Sequence, residues 1–178
     1  MKILVTGSKG FIGKNLCLYL KNHGYEIIEY DLGSSEEDLK QAIKSSDFIV
    51  HLAGVNRPND VSDFKKINFG LTKKIVELME EFDCHSPILL GSSTQAALDN
   101  PYGESKALAE SVINNYGFAG HSTYVVRFAN VLASGASLIT TAWSLLSAIT
   151  LLGICRLRSI KKHPRLILFI STMYVQKF

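Results

Sequence analysis

KILVTGSKGFIG, residues 2–13, decides the fold of this chain. Lys2–Thr6 (KILVT) reads as a short buried strand. Thr6–Gly13 (TGSKGFIG) is a glycine-rich turn that runs straight into a helix over Gly10–His23. In that helix Phe11, Ile12, Leu16, Leu18 and Leu20 recur at roughly helical spacing. Gly7, Gly10 and Gly13 each have a physical purpose between a first strand and a first helix. The first permits the tight turn, the second lets a pyrophosphate approach the backbone, and the third lets helix pack closely on strand. The helix start, at Phe11, Ile12 and Gly13, offers unpaired N–H groups to phosphate oxygens. A dinucleotide is the ligand this pattern takes.

Outward from the turn, strands and helices alternate. Glu26–Tyr30, Phe48–Leu52, Ile88–Leu90 and Thr123–Phe128 read as strands two to five. Helices are expected over Glu36–Lys44, within Asp60–Phe82, and over Tyr102–Tyr116. Continuous apolar strands separated by helices mean a parallel sheet covered on both faces, the doubly wound α/β fold of Rossmann type. Its ligand crevice lies at the carboxyl ends of the strands. Asp31 ends strand two about 20 residues after the turn, where an acid can accept hydrogen bonds from the adenosine ribose and repel a 2′-phosphate. A cap on the turn before Leu32–Gly33 is the other use of that carboxylate, and both stay open.

Reduction of a carbonyl needs an acid that protonates oxygen as hydride reaches carbon. ILLGSSTQ sets Ser92, Ser93 and Thr94 at the end of strand four, in the crevice. Beyond it, YGESK puts Tyr102 and Lys106 four residues apart on one helical face. A tyrosine titrating near 10 serves as acid or base once an adjacent ammonium stabilises its anion. Tyr-x-x-x-Lys is common on helix surfaces; behind this turn and this serine strand it reads as catalytic. Ser93 then holds the carbonyl oxygen, with Thr94 as the alternative one residue on.

These segments resemble the extended short-chain dehydrogenase/reductases, the NAD-dependent epimerase/dehydratase family. HLAG at 51–54, Asn68 with Leu71 and Thr72, and RFANV at 127–131 are similar to further motifs of that family. The resemblance implies Ser93, Tyr102 and Lys106 as the catalytic set, with Lys106 also on the nicotinamide ribose and lowering the Tyr102 pKa. It implies Leu52, Ala53 and Gly54 against the cofactor, and Thr94 and Asn130 toward the substrate. HLAGVNRP (51–58) and STQAALDNPYGESK (93–106) further resemble capsule and O-antigen reductases of the CapF/WbjC type. Those imply NADPH and a UDP-2-acetamido-2,6-dideoxy-4-hexulose as substrate, whereas Asp31 favours NAD; NADP and NAD both remain. An epimerase of the same superfamily would use the same tyrosine and lysine. A dehydratase would place acids where Thr94 and Gln95 stand. A non-catalytic nucleotide sensor would commonly lack the Tyr/Lys pair.

The charge is uneven. Residues 1–131 hold all 16 acidic and 13 of the 19 basic residues, whereas residues 132–178 hold 6 basic residues and no acid. Ser137–Cys155 is apolar over about transmembrane length, with a basic flank. A membrane tether is one reading. The other is a lost base near Val131–Leu132, since the shifted frame admits a polar, acid-bearing sequence similar to the family's own continuation. On that reading the nucleotide-binding domain is 1–131 and 132–178 is an out-of-frame tail with no native domain. A sheet truncated after strand five, with an unpaired edge, would hold part of a cofactor site and have little turnover.

Hydrophobic residues at 47% and charged residues at 20% fit a globular chain. Cys17, Cys84 and Cys155 form neither a disulfide framework nor metal spacing, which leads to the expectation of a reducing cytoplasm. His51, His85, His121 and His163 have no partners at metal-ligand spacing, so no metal is expected. No basic patch with interleaved aromatics marks residues 1–131, which argues against nucleic acid. A homodimer is a family expectation only.

Overall fold

The computed structural model describes residues 1–128 and 174–177. The elements follow the expected alternation: β1 (Lys2–Thr6), α1 (Phe11–Asn22), β2 (Glu26–Tyr30), α2 (Glu36–Ser45), β3 (Phe48–His51), α3 (Gly70–Glu81), β4 (Ile88–Ser93), α4 (Pro101–Phe118), β5 (Thr123–Phe128) and β6 (Tyr174–Lys177). The sheet order is β2-β1-β3-β4-β5-β6. β1 to β5 are parallel, so side chains alternate between two buried faces. Ile3 and Val5 of β1 join α1 through Leu16, Cys17 and Leu20. Leu4 faces the other way, against Leu39 and Ile43 of α2, Ile75 and Met79 of α3, and Ile113 of α4.

The chain leaves β1 for β2 on one side and returns to β3 on the other. That reversal opens a crevice between the carboxyl ends of β1 and β3, where an open α/β sheet binds its ligand.

Two details go beyond the sequence expectation. The helix expected within 60–82 is α3, and ahead of it Phe64–Phe69 forms a π-helical turn. The wider turn carries Asn68 into the interior, where its amide grips the backbone of Val55 from both sides: Val55 N–H donates to Oδ1 at 2.8 Å and Nδ2 donates to the Val55 carbonyl at 3.0 Å. The sheet also does not end at strand five. β6 pairs antiparallel with β5, from Tyr124↔Lys177 to Arg127↔Tyr174. The free N–H and C=O groups along β5 are a template for a further strand, and the last residues of the tail take it. The other tail residues, including the apolar run 137–155, lie outside the described residues. Among the described residues no helix is long and apolar enough to cross a membrane.

Candidate active site

A cavity of about 890 Å³ opens at the carboxyl ends of β1, β3 and β4. Gly7, Gly10, Phe11, Ile12 and Gly13 form one wall; Leu52 and Gly54 adjoin them, and Ser93, Tyr102 and Lys106 stand opposite. Gly7 has φ +71°, and a Cβ there would stand 2.6 Å from the Ala53 nitrogen. A methyl on Gly13 would collide with the Gly7 carbonyl. Turn, helix and the β3 loop therefore touch backbone to backbone. α1 begins without a side-chain cap and without an acid in its first turn, leaving N–H groups and the positive end of the helix dipole toward the cavity. The Ser8 hydroxyl in the turn is buried with no hydrogen-bond partner. A phosphate-bearing ligand fits all three features, so the turn is suited to a dinucleotide.

Asp31 takes the turn-capping role. Its Oδ1 accepts from Leu32 N–H at 2.7 Å and its Oδ2 from Lys9 N–H at 2.6 Å. The second bond ties the end of β2 to the glycine turn. Each carboxylate oxygen keeps a lone pair, so a ribose contact is compatible with the cap. Asp31 does not line the cavity itself, and neither does Ala53, whose N–H donates to Thr6 Oγ1 at 3.2 Å.

The serine strand and the tyrosine helix face each other closely. Tyr102 and Ser93 share the cavity wall, near enough for the serine to act on the phenol, and the tyrosine ring packs against Phe64 with centroids 5.6 Å apart. Ser93 also accepts from Gln95 N–H at 3.2 Å, which opens the short 3-10 turn Thr94–Ala97. Thr94 is exposed on that turn and does not line the cavity, so the structure brings Ser93, not Thr94, to the tyrosine. Asn100 caps α4 through Gly103 N–H at 2.8 Å. Gly103 lies against the Gln95 carbonyl too closely for any side chain. Cap and contact together set the axial position of Tyr102.

Lys106 is buried and donates to the Gly91 carbonyl at 3.1 Å. Burial brings its ammonium down from 10.5 to about 8, with Glu110 pulling the other way. Burial also raises the Tyr102 phenol above 10.0, against the lowering effect of Ser93. The expected depression of Tyr102 by Lys106 is not what this geometry shows. The ammonium is committed to a backbone carbonyl, and desolvation decides the phenol.

Two polar assemblies escaped the sequence reading. In the first, His51 is fully buried between Thr6 Oγ1 (2.6 Å from Nδ1) and Thr72 Oγ1 (2.9 Å from Nε2). Thr72 donates to the Asn68 carbonyl at 2.7 Å, so it accepts from Nε2–H, and Nδ1 accepts from Thr6. Asn68 Nδ2 continues to Ser105 Oγ at 3.0 Å, and Ser105 donates to the Tyr102 carbonyl at 2.7 Å. In the second, Glu110 accepts from Ser92 at 2.5 Å and from Arg127 at 2.8 and 2.6 Å. Its signal was legible: Glu110 continues the spacing of Tyr102 and Lys106 by one further turn. Val55, Asn56, Arg57, Gln95 and Phe128 also line the cavity; they fall within the quoted motifs but were not singled out as site residues. Asn130 lies outside the described residues.

Comparison with known proteins agrees with this geometry. Residues 3–153 match the NAD dependent epimerase/dehydratase family, a match that runs on past Val131. A UDP-2-acetamido-2,6-beta-L-arabino-hexul-4-ose reductase of Pseudomonas aeruginosa is 43% identical over 133 residues, which are 74% of this chain and 36% of that protein. The chain thus spans about a third of that relative's length. The capsular polysaccharide assembling protein CapF of Staphylococcus aureus superposes with a TM-score of 0.65 at 35% identity, over 82% of this chain and 42% of that one. A short-chain dehydrogenase/reductase superfamily protein of Agrobacterium tumefaciens, solved with bound NAD, shares the fold: TM-score 0.68 at 18% identity, over 91% and 64% of the two chains. The matched family covers most of the residues that build the sheet, the glycine turn and the tyrosine helix, and this chain belongs to the NAD dependent epimerase/dehydratase family.

Proposed function

We propose that this chain is the cofactor-binding and catalytic part of an NAD(P)-dependent reductase of a UDP-4-keto-6-deoxy-N-acetylhexosamine, a step in surface-polysaccharide synthesis of the capsule or O-antigen kind. The carrying observation is that Ser93, Tyr102 and Lys106 line one cavity with the glycine turn, with Lys106 buried one helical turn from Tyr102. The reductase of Pseudomonas aeruginosa and CapF supply the substrate class by their likeness. The nucleotide-binding unit is residues 1–131.

A bound nicotinamide dinucleotide, held by Gly7, Gly10, Phe11, Ile12 and Gly13 and by the Leu52–Gly54 loop, supplies hydride. Ser93 holds the sugar carbonyl oxygen, and Tyr102 gives that oxygen its proton. The raised phenol is fully protonated at neutral pH, the state an acid in reduction needs. Lys106, charged below about 8, holds the nicotinamide ribose. The family resemblance assigns Thr94 and Asn130 to the substrate, and a ribose contact from Asp31 would favour NAD where the resemblance to the capsule reductases favours NADPH. On the out-of-frame reading of 132–178, low turnover is the expected outcome.

The test is transfer of deuterium. The full chain is mixed with NADH or NADPH labelled on the nicotinamide and with the UDP-4-keto sugar, and product mass is read after long incubation. One deuterium in a slowly formed C4 alcohol, absent with Tyr102→Phe, is the expected result. A C4-epimerised UDP-sugar without label would replace the reductase reading by an epimerase one. Failure to bind either dinucleotide would end both.

A further inference from the structure

Along α4, Tyr102, Lys106 and Glu110 succeed one another at intervals of four residues and share one face. Each faces one of the last residues of β4: Tyr102 shares the cavity wall with Ser93, Lys106 donates to the Gly91 carbonyl at 3.1 Å, and Glu110 accepts from the Ser92 hydroxyl at 2.5 Å. Glu110 is the one buried carboxylate among the described residues. Arg127, from β5, grips it with two parallel N–H groups, a geometry that fixes direction as well as distance.

We propose that Glu110 is a positioning residue of the site: through Ser92 and Arg127 it locks α4 against β4 and β5 in the register that sets Tyr102 on Ser93, and it places a fixed negative charge behind the Lys106 ammonium. A buried ion pair is weak as a device for stability alone, because desolvation offsets most of its attraction. Its position explains it better. Of the ionisable groups around Lys106, His51 on β3 is held neutral, Tyr102 on α4 is a protonated phenol, and Arg127 on β5 is already engaged by Glu110. β4 offers Lys106 only the Gly91 carbonyl. Glu110 is therefore the sole group that favours the charged lysine, in agreement with the direction of its effect there.

The inference rests on Lys106 serving the cofactor, and its test separates the two. In the full chain the titration midpoint of Lys106 is read from its ε-carbon NMR shift, assigned with Lys106→Arg. Glu110→Gln is expected to lower that midpoint by about one pH unit, and Glu110→Asp to restore most of it. Arg127→Gln, which leaves the carboxylate without its competing cation, is expected to raise it. If Glu110→Gln does not fold, the upward shift in Arg127→Gln decides alone. Midpoints unmoved in these variants, with only a lower melting temperature, would overturn the proposal and leave Glu110 a structural residue. Dinucleotide affinity measured against pH should follow the Lys106 midpoint. A midpoint that moves while affinity ignores it would sink the cofactor role of Lys106 and leave the position of Glu110 standing.

Discussion

Replacing Lys106 by methionine should make the protein more stable while removing its function. The fall of the ammonium from 10.5 to about 8, at about 1.4 kcal/mol per pH unit, is a folded-state cost of about 3 kcal/mol. Below pH 8 both native and unfolded chains hold the proton, and the cost is complete. Between 8 and 10.5 the native chain has released it and the unfolded chain has not, so native stability rises with pH. Above 10.5 the cost is gone. Methionine fills nearly the same space without the charge, but forfeits the bond to the Gly91 carbonyl, worth about 1 kcal/mol. Lys106→Met should therefore gain about 2 kcal/mol at pH 7 and lose about 1 kcal/mol near pH 11.

Urea unfolding of both proteins across that range measures the difference directly. Groups that titrate in both chains, such as Cys17 at about 11, cancel in the subtraction. The variant should also lose dinucleotide affinity, because stability and function are set against each other at this residue. A stability difference that stays constant from pH 7 to about 11 would refute the reasoning, since Lys106 would then carry no buried-charge cost.

Three further outcomes are expected. Gly13→Ala drives a methyl into the Gly7 carbonyl; it should cost about 2 kcal/mol in urea unfolding and weaken dinucleotide binding by fluorescence titration. Tyr102→Phe removes the proton donor and should slow deuterium transfer at least about 100-fold with dinucleotide affinity unchanged. His51→Gln should flatten the acid limb of stability. His51 is lowered from 6.5 to about 3 by burial and then by the Lys106 charge, so the unfolded chain alone gains a proton as pH falls through 6.5. Stability then drops by about 3 kcal/mol by about pH 4.5, a loss that urea unfolding of the glutamine variant should not show.

Much of this was legible in the residues, for physical reasons. A glycine turn between strand and helix has few uses, so residues 2–13 located the crevice. The four-residue interval from Tyr102 to Lys106 located its opposite wall. Asp31 was readable only as two alternatives, because sequence does not say which backbone N–H groups come near a carboxylate. The sixth strand was not readable at all, since a strand that borrows its pairing from an edge needs little pattern of its own. His51 appeared as one more strand residue. Its partners Thr6 and Thr72 are 45 and 21 residues away, and burial of that kind follows from topology, not from local spacing. The net direction at Tyr102 was not readable, because burial of the phenol, which raises it, follows from packing and not from the Tyr-x-x-x-Lys spacing.

The two hidden assemblies constrain each other through Lys106. Thr6 Oγ1 accepts from Ala53 N–H and gives its own proton to His51 Nδ1. A protonated His51 would turn Nδ1 into a donor, leave the Thr6 hydroxyl with two donors and no acceptor, and loosen the Ala53 loop beside Gly7. The charge on Lys106 helps to keep His51 neutral, second to burial, and Glu110 favours that charge. The carboxylate on α4 thus acts on the tyrosine helix by hydrogen bonds, and the Lys106 charge acts on the glycine-turn side by keeping a histidine in the one tautomer its neighbours accept. Lys106 stays charged throughout the pH range in which His51 titrates, so removing that charge with Lys106→Met should raise the His51 midpoint. A His51 midpoint unmoved in Lys106→Met would show that the two assemblies are independent.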